Sequence, residues 1–339
     1  MFMHSSPISV APMMRYTHRF FRVLIRRLSK HTLTYTEMVT AAAINHGKAE
    51  KFLRFENEEQ PVVLQLGGDN PQEMARAAKT GVEFGYREIN INAGCPSDRV
   101  QSGNFGACLM ADPHLVAQMV DAMHRASGLP VSVKTRIGID DQDEYAFLHK
   151  FVEVVSKAGC RRFIIHARKA ILAGLSPAQN RNIPPLKYET VFNLKNDFPD
   201  LVIELNGGIA DLQTAHSFLN RVDGVMLGRA ITDDPFILHR ADELFFNEAP
   251  FAGTMAGVVE GLLDDVERWQ SEGEPPSLIL HPFLSLFKGV AGGKHFRRAV
   301  SQPIKPAESL ANRISEALKF IQPKMIADAT IKTFSTIPR

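Results

Sequence analysis

The feature that most constrains the fold is a unit that recurs along the first 240 residues: a short apolar strand, a polar or glycine-containing loop, and a helical stretch. Eight strands alternating with helices over about 240 residues are typical of a (β/α)8 barrel. The competing fold is a doubly wound open sheet, but no GxGxxG motif follows the first strand. The sequence therefore predicts an α/β protein with a (β/α)8 TIM barrel. The predicted strands are Ile8–Ala11, Leu33–Glu37, Val62–Leu66, Glu88–Asn92, Val131–Thr135, Arg162–His166, Val202–Asn206 and Gly224–Leu227.

The alternation of strand and helix stops near Ala252, and the chain beyond it is predicted to be helical. Apolar residues keep helical spacing from Met255 to Trp269 and again from Leu310 to Leu318. A chain of 339 residues is long enough for a barrel with an appended domain. We expect the barrel over residues 1–244, a small C-terminal helical domain over 245–325 and a tail over 326–339.

Composition indicates an ordinary globular protein, with 45% hydrophobic and 22% charged residues. No apolar stretch approaches the roughly 20 residues of a membrane helix, and the first residues do not resemble a signal peptide. The three cysteines have no metal-ligand spacing and form no disulfide framework, so we expect thiols and no metal site. These features predict a cytoplasmic protein, which we also expect to be a monomer.

Charge is spread unevenly along the chain although the net charge is only +2. Residues 276–339 contain ten Lys or Arg and three Asp or Glu, net +7, which leaves 29 basic and 34 acidic residues, net −5, in the remainder. Lys294, Arg297 and Arg298 lie together beside Phe296 in the segment GGKHFRRAV. Such a cluster is suited to an RNA backbone, and a merely solvated basic helix is the alternative.

The residues that follow the strands carry the functional argument. In a (β/α)8 barrel every strand exit lies on the carboxyl-terminal face, where barrel enzymes hold their active sites. A single Gln65, Lys134 or His166 could equally be a hydrogen-bonded core residue or a surface ion pair. The exits, in chain order, are Ala11–Met13, Thr36–Met38, Gln65–Gly68, Asn92–Pro96, Lys134–Arg136, His166–Arg168, Asn206–Gly208 and Gly228–Arg229.

The last two exits indicate a phosphate site. Asn206, Gly207 and Gly208 end the seventh predicted strand, and Gly228 and Arg229 end the eighth. Backbone N–H groups of glycines and a guanidinium at these positions are where barrels commonly bind phosphate. A phosphorylated cofactor or substrate is therefore favoured over simple turns.

A lone cysteine follows the fourth predicted strand. Cys95 lies between Gly94 and Pro96, and both neighbours restrict the backbone as expected at a sharp exit from a strand. This position presents the thiol at the barrel mouth. Cys108 and Cys160 fit the alternative role of small buried apolar residues better.

Several motifs together resemble one enzyme family. SVAPM, YTEMV, QLGG, EININAGCPSDRVQ, GACLM, KTRIG, FIIHARKA, LNGGI and GVMLGR occur in this order, densely over about residues 7–235 and loosely beyond. They resemble the flavin-dependent tRNA-dihydrouridine synthases, and CPSDRVQ with HARKA resembles the A-type branch. The resemblance implies an oxidoreductase that holds FMN across the barrel mouth, uses NADPH as reductant and reduces D-loop uridines of tRNA. The branch further implies positions 20 and 20a.

The resemblance also implies roles for individual residues. Pro12 and Met13 would back the flavin ring, and Gln65, Lys134 and His166 would contact its polar edge. The flavin phosphate would be held by Asn206, Gly207, Gly208, Gly228 and Arg229, in agreement with the phosphate site inferred from the residues alone.

The chemistry of uracil explains why a thiol is needed. Hydride addition at C6 leaves negative charge on C5 and O4, and C5 must then be protonated. A thiol with a pKa of about 8.5 is mostly protonated at neutral pH and can donate that proton. We therefore predict Cys95 as the general acid.

Further residues are predicted to bind the RNA substrate. Asn92 could hydrogen-bond the uracil edge, Lys134 could stabilise charge on the ring oxygen, and Arg136 shares the face of Lys134. The aperiodic stretch from Lys169 to Lys187 is predicted to be a loop at the barrel rim with Arg181 facing RNA, or else a surface tether. We expect Lys294, Arg297 and Arg298 to contact phosphates.

Two other functions remain possible from the sequence. A flavin barrel acting on a free pyrimidine, as in dihydroorotate or dihydropyrimidine dehydrogenases, would not need the basic tail. A catalytically silent RNA-binding barrel would not need Cys95 with the glycine motifs. One departure from the family is the segment MRYTHRF after Met13, where the family has an acidic, tryptophan-bearing form, so no substrate contact is carried over from that loop.

Overall fold

The computed structural model describes residues 6–142 and 145–321, and its strands form one parallel barrel. The spatial order is β1–β9–β8–β7–β6–β5–β4–β2, with the short β3 paired to β4. The predicted strands are therefore all present within the described residues. The strands are β1 (Ile8–Val10), β2 (Thr34–Tyr35), β3 (Val39–Thr40), β4 (Val62–Gly67), β5 (Ile89–Ala93), β6 (Val131–Arg136), β7 (Arg162–His166), β8 (Val202–Asn206) and β9 (Gly224–Leu227).

The barrel closes between its first two strands. A parallel bridge joins Ser9 of β1 to Leu33, the residue directly before β2. The Val10 N–H donates to the Leu33 carbonyl over 2.8 Å, and the Leu33 N–H donates to the Ile8 carbonyl over 3.2 Å. Eight strands thus complete the ring, and the predicted α/β barrel is confirmed.

Helices alternate with the strands and begin and end at residues that satisfy their free backbone groups. Asn70 caps one helix by accepting from the N–H groups of Gln72 and Glu73, and Pro71 occupies its first position. The α-helices are Arg19–Leu28, Ala41–His46, Ala49–Leu53, Pro71–Glu83, Asp98–Gln101, Pro113–Ser127, Tyr145–Lys157, Tyr188–Asp197, Leu212–Ser217, Arg229–Asp233, Ala241–Phe246, Met255–Glu260, Leu263–Ser271, Pro276–Leu280, Gly293–Val300 and Leu310–Leu318. Short 3-10 helices span Asn57–Glu59, Gly106–Ala111, Gln179–Arg181, Phe218–Asn220, Pro235–Arg240 and His281–Ser285.

The interior of the barrel has an apolar part and a polar part. Alternate residues of each strand point to the same face, so every second position is directed inward. Ala11, Leu33, Tyr35, Val63, Ile164 and Met226 form a buried cluster, against which Met13 packs. The inward positions of β5 and β6 are polar instead, and they lead up to the carboxyl-terminal mouth.

The chain divides into two compact units. The first contains the described residues of Met1–Arg19 and His31–Gly228, and the second those of Phe20–Lys30 and Arg229–Arg339. The second unit therefore begins before the predicted boundary at residue 245, and it also takes a helical segment that the strand–helix alternation assigns to the barrel. The tail predicted at 326–339 lies outside the described residues.

Aromatic packing explains why the early helix belongs to the second unit. The ring of Phe20 lies 4.6 Å from that of Trp269, centroid to centroid, and Arg27 forms a 2.7 Å ion pair with Asp265. Elsewhere in this unit the rings of Phe287 and Phe296, both buried, lie 4.9 Å apart. Within the described residues, no helix is both long enough and apolar enough to cross a bilayer.

Candidate active site

Cys95 lies on a tight turn at the end of β5. The Oδ1 atom of Asn92 accepts hydrogen bonds from the N–H of Gly94 at 3.1 Å and from the N–H of Cys95 at 3.0 Å. An asparagine that caps the two following amides is a common way to form such a turn. A Cβ at Gly94 would lie 3.3 Å from the Thr135 backbone, so the turn runs close against β6. The thiol is half-buried, with Sγ 3.5 Å from Ser97 Oγ.

Four polar side chains, beginning with Asn92, form a continuous column of hydrogen bonds, which we call the amide column: Asn92, Gln65, Asn90 and Ser132. Asn92 Nδ2 donates to Gln65 Oε1 at 2.9 Å, and Gln65 Nε2 donates to Asn90 Oδ1 at 2.7 Å. Asn90 Nδ2 in turn donates to Ser132 Oγ at 3.0 Å. The column connects the Cys95 turn to the buried interior of the barrel.

The amide column ends on a buried cluster of charged side chains. Ser132 Oγ donates to Glu88 Oε1 at 2.8 Å, and Glu88 Oε2 accepts from Arg162 Nη1 at 3.1 Å. Arg162 also pairs with Glu204, which accepts from Ser9 Oγ at 3.0 Å. Burial raises the pKa of Glu88, and the Arg162 guanidinium opposes that rise. These ion pairs compensate the charges inside the barrel, since a buried charge must be paired.

Lys134 lies on β6, paired with Asn92 of β5, and its pKa is close to neutrality. Its Nζ donates to Asn206 Oδ1 at 3.1 Å, and Asn206 Nδ2 donates to the Met226 carbonyl at 2.8 Å. Burial, reinforced by the nearby Arg136 charge, lowers the pKa of Lys134 from 10.5 to about 7. The amine can therefore exist in either protonation state at neutral pH.

Arg136 is buried and makes hydrogen bonds to backbone carbonyls. Its Nε donates to the Gly94 carbonyl at 2.9 Å, and Nη1 donates to the carbonyls of Lys169 at 3.0 Å and Asn180 at 3.2 Å. Burial lowers its pKa to about 10. In this structure Arg136 joins the Cys95 turn to the loop after β7, and its contact with the substrate stays a prediction.

His166 is set at the end of β7 with an unsatisfied ring nitrogen. Burial, reinforced by the charges of Arg136 and Lys134, lowers the pKa of His166 well below 6.5, so the ring is neutral. Among the described residues, no partner forms a well-aligned hydrogen bond with its Nδ1, which is buried. A buried polar atom of this kind could accept a partner from a bound ligand.

The glycines after β8 form a tight turn that has no room for side chains. Gly207 has a φ of +117° and Gly208 a φ of +71°, so side chains would be strained at both positions. A Cβ at Gly208 would come within 2.5 Å of Leu186. Tyr188 Oη donates to the Gly207 carbonyl at 2.7 Å and fixes the turn. Gly228, at the end of β9, would bring a Cβ to within 4.0 Å of Met13 Sδ.

The loop after β1 carries the other predicted cofactor contacts. Pro12 and Met13 are half-buried, and the Met13 N–H donates to Thr17 Oγ1 at 3.0 Å. The divergent segment that follows exposes Met14 and Tyr16, which are 57% and 42% accessible to solvent. Between them Arg15 adopts a φ of +69°, and its N–H donates to the Glu37 carboxylate.

The loop after β7 is organised around one buried side chain. Asn180 Oδ1 accepts from the Ile171 N–H at 2.7 Å, while Nδ2 donates to the carbonyls of Ile171 at 2.9 Å and Leu175 at 3.1 Å. Arg181 follows it and is exposed. The predicted irregular stretch from Lys169 to Lys187 is thus a braced loop that presents Arg181 to solvent.

The basic segment of the second unit forms the helix Gly293–Val300. Lys294 and Arg298 are exposed on it. Arg297 is half-buried, and its Nη1 donates to the carbonyls of Leu286 at 3.1 Å and Phe287 at 3.0 Å. Arg297 therefore holds a neighbouring turn of its own unit. Arg229, also in the second unit, is exposed at the start of the helix Arg229–Asp233.

Two structural features of the site were not found from the sequence. Asn180 lay in a stretch without periodicity, and only its fold reveals that it is buried. Glu88, Arg162 and Glu204 left a signal, because charged residues within apolar strands must be paired when they are buried. That signal could have located the buried cluster, although not the amide column above it.

These features define a parallel α/β barrel with a thiol, a lysine whose pKa is near neutrality and a glycine turn at its carboxyl-terminal mouth. Within that class, the chain belongs to the dihydrouridine synthase family, whose model, Dihydrouridine synthase (Dus), matches residues 9–322. The predicted family is therefore confirmed.

The curated relatives agree with this assignment. A tRNA-dihydrouridine(20/20a) synthase from Synechocystis sp. is 50% identical over 314 residues, covering 93% of this chain and 94% of the relative. The synthase of the same name from Escherichia coli (strain K12) is 48% identical over 321 residues, covering 94% of this chain and 93% of the relative.

Solved structures resemble the chain in fold alone. An old yellow enzyme homologue from Zymomonas mobilis aligns with a TM-score of 0.52 at 12% identity, over 74% of this chain and 91% of that one. A 2-naphthoyl-CoA reductase aligns with a TM-score of 0.51 at 10% identity, over 70% of this chain and 50% of that one.

Proposed function

We propose that this protein reduces specific D-loop uridines of tRNA to 5,6-dihydrouridine, using FMN and NADPH. The single observation that carries the proposal is the Cys95 thiol at the barrel mouth, held by Asn92 in a chain about half identical to tRNA-dihydrouridine(20/20a) synthases. The names of these relatives favour positions 20 and 20a as targets. Family membership makes an oxidoreductase the class of enzyme.

The residues at the mouth fit a flavin. The unsatisfied Nδ1 of His166 offers a hydrogen-bonding atom, and Lys134 offers an amine whose protonated form would donate to the polar edge of the flavin ring. The backbone at Gly228 is open, since a Cβ there would meet nothing nearer than Ala11 at 3.9 Å, and this suits a close approach of phosphate. FMN would supply hydride for C6 when bound. Pro12, Met13, Gln65, Asn206, Gly207 and Gly228 complete the proposed cofactor site, while Arg229 stays a prediction of the resemblance.

The chain's own residues complete the reduction. Cys95 gives its proton to C5 of the uracil, and the ammonium form of Lys134 stabilises the charge that develops on the ring oxygen. Asn92 Nδ2 has a second amide hydrogen besides the one that it donates to Gln65, and this second hydrogen would bind the uracil edge. Arg136 holds the turn through the Gly94 carbonyl and thereby limits its motion.

Substrate binding requires contacts to the RNA around the target base. A uracil in folded RNA must leave its stack before an enzyme can reach C5 and C6. The exposed cations Arg181, Lys294 and Arg298 are the proposed phosphate contacts. Arg297 makes a poorer candidate, because its guanidinium is engaged with the Leu286 and Phe287 carbonyls. We further propose that the enzyme acts as a monomer in the cytoplasm.

The first prediction tests Cys95. Cys95→Ala should accept electrons from NADPH at the wild-type rate, because the thiol takes no part in reducing the flavin. Dihydrouridine formation should fall by about 10²- to 10⁴-fold, the range of a general acid. Stopped-flow flavin absorbance and product analysis of tRNA by mass spectrometry measure the two half-reactions.

Cys108→Ala is the matched control. Cys108 is also half-buried, and its Sγ donates to the Phe105 carbonyl at 3.0 Å. It should form product normally. Wild-type product formation by Cys95→Ala would overturn the general-acid role, and reduction of free uridine but not tRNA would favour a free-pyrimidine enzyme.

A further inference from the structure

The amide column fixes more than the positions of its side chains, because all its hydrogen bonds point the same way. Starting at the Cys95 N–H, each group donates to the one beneath it, through Asn92, Gln65 and Asn90 to Ser132, and finally to Glu88. A side-chain amide can be turned by 180°, which exchanges its donor and acceptor, and its partners decide the orientation. Each amide in this column decides the orientation of the next.

The upper end permits only one direction. The N–H groups of Gly94 and Cys95 can only donate, so Asn92 must present its oxygen to them and its NH2 group to Gln65. Gln65 must then present its oxygen to Asn92 and its NH2 group to Asn90. An amide turned the other way would place donor against donor.

The lower end requires the same direction. The Glu88 carboxylate is held by Arg162 as a hydrogen-bond acceptor, so the single hydroxyl hydrogen of Ser132 is directed to it. Ser132 Oγ is then left to accept from Asn90. Two ends that are separated by three amides thus impose one polarity on all of them.

We infer that Asn90 is a positioning residue for Cys95, because it carries the polarity set at Glu88 through Gln65 to the asparagine that holds the catalytic turn. The inference rests on the proposed function, in which Cys95 protonates C5. Asn90 is fully buried beneath Gln65, so it acts through these neighbours and not on the substrate.

The expected consequence of losing Asn90 follows from the geometry. Without the oxygen of Asn90, the Gln65 NH2 group has no partner below, and Gln65 is held from above only. Asn92 is then held less firmly by Gln65, and the turn that it caps loosens. A misplacement of about 1 Å can cost about 10²-fold in rate.

The test compares three variants of the flavin-loaded enzyme. Asn90→Leu keeps the shape and removes both hydrogen bonds, whereas Asn90→Asp still accepts from Gln65 and, when neutral, still donates to Ser132. Tyr86→Phe is the control, because it removes another buried hydrogen bond of this unit, from Tyr86 Oη to the Leu53 carbonyl at 3.0 Å. Melting temperature, flavin reduction by NADPH, dihydrouridine formation by the reduced enzyme and the pH profile of Cys95 alkylation by iodoacetamide are measured for each.

We expect Asn90→Leu to reduce its flavin normally, to form dihydrouridine at least about tenfold more slowly, and to alkylate Cys95 at least about threefold faster above the profile's midpoint. Asn90→Asp should restore most of both properties, and Tyr86→Phe should change the melting temperature alone. If Asn90→Leu does not fold, Ser132→Ala cuts the same column one step lower and should shift the same two readouts in the same direction.

The inference is overturned if Asn90→Leu, or Ser132→Ala in its place, changes only the melting temperature, or if Asn90→Asp fails to recover product formation. Cys95→Ala in the same assays separates this failure from that of the proposed function. If Cys95→Ala still forms dihydrouridine, the proposed general-acid role of Cys95 is wrong. If Cys95→Ala is inactive and Asn90→Leu is fully active, only the inferred role of Asn90 is wrong.

Discussion

At the scale of single residues, the site depends on what burial does to ordinary side chains. Lys134 and His166 both favour their neutral forms because the barrel mouth desolvates them and because Arg136 adds positive charge nearby. Arg136 itself remains a cation, since its pKa of about 10 lies well above neutrality. One permanent charge and one adjustable charge therefore flank the Cys95 turn, and the adjustable one can respond to what binds.

The second prediction concerns the pH dependence of cofactor binding. Hydrogen-bond acceptors on the edge of the flavin ring beside Lys134 favour its ammonium form, so above a pKa of about 7 binding must take up a proton. The affinity of the flavin-free protein for FMN should therefore be level below pH 7 and fall as the pH rises beyond it, by at most about tenfold per unit. Titrations from pH 6 to 9, followed by flavin fluorescence, measure this.

Lys134→Met should bind FMN more weakly than the wild type at low pH, and its affinity should no longer fall as the pH rises above 7. Lys79→Met, at an exposed lysine of the helix Pro71–Glu83, is the control and should keep it. A wild-type slope in Lys134→Met would mean that another group takes up the proton.

At the scale of elements, the strands were predictable and the loops only partly so. Each strand is an apolar run bounded by polar or glycine residues, and a parallel strand buried on both faces requires such a run. The helix Arg19–Leu28 follows a strand as any barrel helix does, yet Phe20 packs on Trp269, and chain order carries no information about that contact. The sequence likewise predicted that Arg136 and Arg297 contact RNA, but it could not show that both side chains donate to backbone carbonyls.

The third prediction concerns the braced loop after β7. Asn180→Ala removes hydrogen bonds to Ile171 and Leu175, each worth about 1 kcal/mol when buried. The loop should then be cut faster by a nonspecific protease, and the KM for tRNA should rise several-fold while flavin content stays unchanged. Limited proteolysis and steady-state kinetics measure these effects.

Gln179→Ala is the control for this loop, because Gln179 is exposed and accepts a hydrogen bond from the Ser176 N–H at 2.9 Å. It should leave both properties near wild type. An unchanged KM in an Asn180→Ala enzyme with a clearly loosened loop would remove Arg181 from the RNA-binding surface.

At the scale of the whole molecule, basic residues are concentrated towards the carboxyl end of the chain, where residues 276–339 carry a net charge of +7. All of these residues belong to the second unit. Within the helix Gly293–Val300 the structure separates two kinds of arginine: Arg298 is exposed, and Arg297 is bound to the carbonyls of Leu286 and Phe287. Reversing their charges should therefore have different consequences.

The fourth prediction uses this difference. Changing Lys294→Glu and Arg298→Glu together should weaken tRNA binding and flatten the plot of log affinity against log salt by about 0.7 to 0.9 per lost phosphate contact. Flavin content and melting temperature should not change. Arg297→Ala should instead lower the melting temperature, because two carbonyls lose their donor.

Lys79→Glu, at an exposed position on the barrel unit, reverses one charge where the double variant reverses two, and it should alter affinity by far less than half as much. Equal weakening by Lys79→Glu would show that overall charge, and not this helix, governs binding. An unchanged affinity and salt slope in the double variant would move the phosphate contacts elsewhere, with Arg181 as the next candidate.

The barrel closes where its strands are shortest, between β1 and the two-residue β2, and this has a consequence for its motions. Local opening favours the parts of a fold with the fewest hydrogen bonds, so fluctuations of the ring should concentrate at this join. The apolar cluster, with Ala11, Leu33 and Tyr35, borders the join, whereas Ser132 and Asn90 lie on strands further around the ring. We therefore expect the ring to open locally beside the apolar cluster more readily than at the strands that carry the amide column beneath Cys95.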